Sequence, residues 1–141
     1  MARPRTEPMA SIPDDFRDLF EKKTFAHLAT LMPDGSPHAT PVWVDYDIES
    51  DRLLVNTERG RQKAENVQGD GRVAVSMTDP DNPYRMLSVR GEVADVTTDG
   101  AREHIDELAK RYMGEDEYSN PIETERIILT IAPEHVTHME P

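Results

Sequence analysis

The chain has 141 residues, with 16 Lys and Arg against 28 Asp and Glu and a formal charge of −12. That balance argues against nucleic acid, whose binders show a basic face, and equally against docking on anionic lipid. No run reaches the roughly 18 apolar residues of a membrane span, no apolar leader opens the chain, and there is no cysteine for a disulfide, thiolate metal site or nucleophile. A soluble, cytoplasmic domain with one core is the expectation.

Residues 1–12 carry Pro4 and Pro8 without periodicity and read as a flexible tail; 13–141 read as one domain. Pro13 suits a first helical position, followed by Asp14, Asp15 and Asp18 at the favourable end of a helix and an apolar stripe of Phe16, Leu19 and Phe20. That helix should stop near Lys22. Residues 24–31 (TFAHLATL) read as a strand buried on both faces. After a Pro33-Asp34-Gly35 turn, strands at 39–46 (ATPVWVDY) and 52–57 (RLLVNT) read with the first as a three-stranded meander.

A short helix is expected over 60–68, with Ala64 and Val67 inward and Gly69 as its stop. Residues 72–78 alternate, placing Val73, Val75 and Met77 on one face. A long strand at 84–96 contains Gly91, the mark of a bulge that bends a sheet. Thr98 or Asp99 is placed to cap a helix whose Ala101, Ile105, Leu108 and Tyr112 form one stripe, with Gly114 as the stop. A polar loop follows, and strands at 126–131 and 136–139 end the chain. Strands dominate and βαβ alternation is absent, so the expected fold is mainly β: a small antiparallel barrel with two to three peripheral helices.

The segment 55–67 (VNTERGRQKAENV) carries the chemistry. Arg59, Arg61 and Lys63 put three cations within five residues of a strongly acidic chain, at or just before a helix start. The macrodipole there favours anions, so cations are at the wrong end unless an anion sits among them. The plainer alternative is a solvated basic face paired with Glu58 and Glu65. Trp43, the single tryptophan, lines either a groove or the barrel core, and its alternation with Ala39, Pro41 and Asp45 favours the groove.

His27, in an apolar strand, suits a structural histidine better than a proton donor. His135 and His138 would face opposite sides of a strand, so no metal is expected there. Asp79 and Asp81 lack the Gly and closing Glu of a calcium loop and read as turn residues. Tyr84, Met86 and Tyr118 read equally as pocket walls or loop anchors.

In sequence order, Leu28-Ala29-Thr30 with Asp34-Gly35 and Pro37, Thr40–Trp43, Val55-Asn56-Thr57, Gly60–Ala64 with Asn66, the 79–84 loop, Arg90–Val93 and the helix ending Arg111-Tyr112-Met113-Gly114 resemble the pyridoxamine-phosphate-oxidase-like split β-barrel flavoproteins, in particular their coenzyme F420-dependent branch. The resemblance implies a homodimer with a deazaflavin, or alternatively FMN, in a groove between subunits. It implies that Arg61 and Lys63 hold the cofactor's phosphate with Arg59 and Asn66 in support. Pro41, Val42, Trp43, Asn56 and Thr57 would then flank the ring. The implied activity is hydride transfer between the cofactor and a small organic acceptor, with no metal. An FMN-dependent oxidoreductase and a non-catalytic flavin- or tetrapyrrole-binding module stand as alternatives, since barrels of this kind host binders too.

Overall fold

The computed structural model describes residues 10–140, so the expected tail lies largely outside the described residues. Ile12, at its end, is buried in the core, and its N–H faces Asp51 Oδ1 at 3.3 Å. Seven strands form one antiparallel sheet: β1 (Phe25–Leu31), β2 (Pro37–Trp43), β3 (Asp45–Asp47), β4 (Arg52–Glu58), β5 (Arg72–Asp79), β6 (Asn82–Thr97) and β7 (Arg126–Met139). Two α-helices, α1 (Gln62–Gly69) and α2 (Ala101–Met113), and a 3-10 helix over Asp14–Glu21 complete the element list. The fold is the expected one, a mainly β, curled half-barrel sheet with peripheral helices.

The sheet order is β2-β1-β5-β6-β7-β4-β3. Its edge strands, β2 and β3, are consecutive in the chain and separated by Val44 alone. One intervening residue spans at most roughly 7 Å, so the sheet must roll until its edges nearly meet. The expected meander is therefore replaced by two hairpins, β1–β2 and β3–β4, on opposite sides of the seam. What reads as one strand over 39–46 is broken at Val44 because the chain changes edges there.

Alternation fills the barrel. Leu28, Val55, Val75, Val89 and Leu129 are essentially inaccessible, and the 3-10 helix covers the core with Phe16, Leu19 and Phe20. A smaller cluster of Ile105, Leu108 and Tyr112 holds α2 outside the barrel against Trp43 and Tyr118. The β1 strand is paired on both edges but buried on one face only, since Phe25 and His27 point outward. Its continuous apolar run reflects an apolar outer face, not a second covering layer.

Other departures have local causes. Gly69 is the last residue of α1 and not its stop; the Asp70 N–H closes the helix onto Asn66 O at 2.9 Å. Gly100, in the left-handed region at φ 73°, precedes α2, and no side chain caps it. The last two expected strands are one, β7. Pro133 lies opposite Gly91, where the β6–β7 register shifts, so its missing N–H falls at an irregularity of the ladder.

Gly91 is required by close approach. A Cβ there would lie 2.2 Å from Ala132 O. Gly91→Ala should cost about 2–4 kcal/mol by urea denaturation, since backbone has to move.

The β5–β6 turn is tied to the 3-10 helix through Asp79, which pairs with Lys22 at the helix C-cap at 2.9 Å and with Arg85 of β6 at 2.9 Å, and Arg85 in turn reaches Asp18 of the helix at 2.7 Å. Burial works against the ionised Asp79, but the Asp81 N–H, Lys22 and Arg85 overcome it and hold the pKa at about 2. A carboxyl depressed on folding stabilises above its unfolded pKa near 4 and loses that contribution as pH falls to about 2. Asp79→Asn should therefore be less stable at neutral pH and show a shallower loss of stability between about pH 4 and pH 2, as read by denaturation at a series of pH values.

Candidate functional site

A concavity of about 270 Å³ opens where the seam, α1 and α2 meet. One side is the end of β2, with Pro41, Val42 and Trp43. The opposite side is the end of β4, with Asn56 and the buried Thr57. Arg61 and Lys63 enter from the turn into α1, and Arg126 from the first residue of β7. Phe25, Ile105, Tyr118 and Asn120 complete the walls.

Two rings define the apolar side. Trp43 stacks on Tyr112, with centroids 5.0 Å apart and planes 6° from parallel, and meets Tyr118 edge-on at 6.3 Å. The turn from β4 into α1 needs Gly60, whose φ of 96° lies in the left-handed region. Arg61 then occupies the N-cap position in extended conformation, without a side-chain cap, so the first N–H groups of α1 have no intrahelical partner.

The three cations are held near one another. Lys63 is pushed below the usual lysine range by burial first, then by Arg61 and Arg126. Arg126 is likewise lowered, chiefly by burial, although Tyr118 and Glu58 oppose this. Arg126 donates from Nε to Asn56 Oδ1 at 2.8 Å and lies over the Tyr118 ring at 5.1 Å. Among the described residues, no carboxylate reaches salt-bridge distance of Arg61, Lys63 or Arg126, whereas Arg59, Arg72, Arg85 and Arg111 all have one. A concavity that combines helix N–H groups, three cations and two aromatic walls offers the groups that can hold a planar ligand bearing an anionic group.

Residues 12–140 match the sequence family described as pyridoxamine 5'-phosphate oxidase. The chain belongs to this family. Among solved structures, one described as an F420 reductase is 33% identical, covers 89% of this chain and 98% of its own, and superposes with a TM-score of 0.78. A conserved hypothetical protein from Mycobacterium tuberculosis is 21% identical over 92% of this chain and 85% of its own, with a TM-score of 0.68. A pyridoxamine 5'-phosphate oxidase-related, FMN binding protein from Nostoc punctiforme is 17% identical over 82% and 73%, with a TM-score of 0.58. These last two share the fold. Among curated protein sequences nothing matches the chain.

Of the nine residues singled out from the sequence of this family member, seven line the concavity: Pro41, Val42, Trp43, Asn56, Thr57, Arg61 and Lys63. The other two do not. Arg59 turns away to pair with Glu125, and its carbonyl accepts from Thr124 Oγ1 at 2.7 Å. Asn66 is buried beneath α1, donating to Thr30 Oγ1 at 2.9 Å and accepting from Gln62 at 2.8 Å, so it anchors the helix to β1. Both are structural supports of the basic turn.

Tyr118 takes the wall position it had as one alternative, while Tyr84 is 75% exposed and, like Met86, does not line the concavity. Arg126, Ile105, Asn120 and Phe25 escaped sequence reading. Arg126 is the instructive case. It lies far along the chain from Arg61, and only the pairing of β7 with β4 brings the two cations to one place.

The cation cluster is costly in the ligand-free protein, because burial and mutual repulsion both disfavour its charges. Lys63→Met should therefore raise the stability of the ligand-free protein, by about 0.5 kcal/mol at neutral pH, and the gain should shrink as pH rises and Lys63 discharges. Added pyrophosphate should raise the melting temperature of wild type more than that of Lys63→Met in thermal-shift measurements.

Proposed function

We propose that the concavity holds the phosphate-bearing part of a flavin-type cofactor, coenzyme F420 in the first instance, and that the protein is an oxidoreductase passing hydride between that cofactor and a small organic acceptor. The observation that carries this reading is the convergence of Arg61, Lys63 and Arg126, uncompensated by carboxylates among the described residues, beside the Trp43–Tyr118 wall. The likeness to a structure described as an F420 reductase, at 33% identity across most of both chains, supports the choice of cofactor. When bound, such a cofactor supplies the carbon that gives or takes hydride.

The chain's own residues then have binding and positioning work. Arg61, Lys63 and Arg126, with the first N–H groups of α1, neutralise the anion. The backbone of Pro41–Trp43 and the side chains of Asn56 and Thr57 present polar groups along the ring's edge. Trp43, Ile105 and Tyr118 exclude water from one side, which strengthens each electrostatic contact. No side-chain nucleophile or metal is needed; the catalytic contribution is orientation.

The concavity is open on the side of Phe25, which is 56% exposed on the outward face of β1. We assign the missing wall to a second copy of the chain, making the working unit a homodimer. Its mass in solution would be twice 16.0 kDa.

Titration of the purified protein with F420 and with FMN, followed by fluorescence, tests the assignment. F420 should bind more tightly than FMN, and Arg61→Ala or Lys63→Ala should each weaken it about 10–100-fold. Tighter binding of FMN would move the protein to the FMN-dependent alternative, which the same cations suit. Unchanged affinity in both variants would remove the anion site, and binding without turnover of any acceptor would leave a cofactor-binding module.

A further inference from the structure

A hydrogen-bonded chain runs from the concavity into the packing of α2: Arg126, Asn56, His104, Asp45 and Arg111. Resting on the reading of the concavity as an anion site, we infer that His104 is a positioning residue. As a neutral imidazole protonated on Nε2, it fixes the Asn56 amide and through it holds the Arg126 guanidinium in the concavity.

The polarity of the chain is set at both ends. Arg126 Nε–H can only donate and lies 2.8 Å from the Asn56 oxygen. Ala101 O can only accept and lies 2.8 Å from the Asn56 nitrogen. The amide orientation is thereby fixed, with one remaining N–H of Asn56 directed at His104 Nδ1, 3.1 Å away. That nitrogen must accept, so the ring proton is on Nε2, facing Asp45 Oδ2 at 2.9 Å.

Asp45 is itself immobilised. Its other oxygen accepts from the Tyr46 N–H at 2.9 Å and from Arg111 Nη2 at 3.1 Å. Burial opposes its ionisation, but bonds from His104, the Tyr46 N–H and Arg111 outweigh it and hold the carboxyl below the usual range. His104 is buried, so its ring has no water to turn toward.

The arrangement tolerates one protonation state. A second ring proton, on Nδ1, would oppose the Asn56 N–H. If the amide turned over to accept it, its NH₂ would face Arg126 Nε–H. Either way Arg126 loses its anchor. The charged groups around the ring are Asp45 from β3, Arg111 from α2 and, across Asn56, Arg126 from β7.

The test uses the full chain, labelled with nitrogen-15, with sulfate as the anion probe. Long-range nitrogen–proton correlations should show His104 as the Nε2–H tautomer, with the Arg126 Nε–H protected from exchange. His104→Phe should open Arg126 Nε–H to exchange and weaken sulfate about 5–10-fold. His104→Gln, whose carbonyl can accept from Asn56 while its amide donates to Asp45, should restore much of both.

An Nδ1–H tautomer overturns the inference in wild type alone, whatever the variants do. So does a His104→Phe protein with unchanged exchange and affinity while Arg126→Ala loses sulfate. If Arg126→Ala binds sulfate as well as wild type, the anion-site reading falls instead, and with it the role inferred for His104.

Discussion

The seam of the barrel is held by a phenol. Val44 is the single residue between the two edge strands, and its backbone has no sheet partner to take up its N–H. Tyr112, from α2, supplies one: its oxygen accepts from Val44 N–H at 3.2 Å and donates to Thr24 O at 2.6 Å. One hydroxyl thus fixes the start of β1, the crossing between edges and the position of α2. Its burial, the foremost influence on it, raises the pKa of the phenol and keeps it neutral, as a donor must be.

The site follows from that closure. Because Tyr112 is fixed, Trp43 can stack on it, and Trp43 with Tyr118 forms the apolar wall of the concavity. Because the edges meet, the ends of β2 and β4 face each other across a gap that the turn into α1 overlooks. Arg111, the neighbour of Tyr112, reaches Val44 O at 3.3 Å and Asp45 at 3.1 Å, so the seam and the His104 chain share one foundation. Closure and site geometry are two consequences of the same contacts.

Local patterns reveal local facts, and the sequence is legible to that extent. The Val73, Val75 and Met77 alternation, the Ile105–Leu108–Tyr112 stripe and the bend at Gly91 depend on neighbours in the chain and stand where expected. The basic turn is legible for the same reason, since Gly60, Arg61 and Lys63 are adjacent. Strand order is not local: nothing in 39–46 says that its two halves pair on opposite edges of the sheet. Arg59 and Asn66 share the motif's spacing, yet the first is drawn off by Glu125 and the second is buried under α1. His104 belongs to α2, but its partners come from β3 and β4, which only the fold assembles.

The charge of −12 acquires a physical meaning once the partners are known. Acids hold several of the cations: Asp18 and Asp79 hold Arg85, Asp70 holds Arg72, Asp45 holds Arg111, and Glu125 holds Arg59. An exposed cation such as Lys110 needs no partner, because water screens it. Lys63 and Arg126 are half-buried, lie near Arg61 and have no carboxylate at salt-bridge distance among the described residues, an arrangement that raises the energy of the empty site. In a chain with so many carboxylates available, leaving these cations without one among the described residues is a cost that folding alone does not explain. Under the proposed function it is recovered when an anion enters, so the destabilised charge of the free protein would also be the source of its affinity.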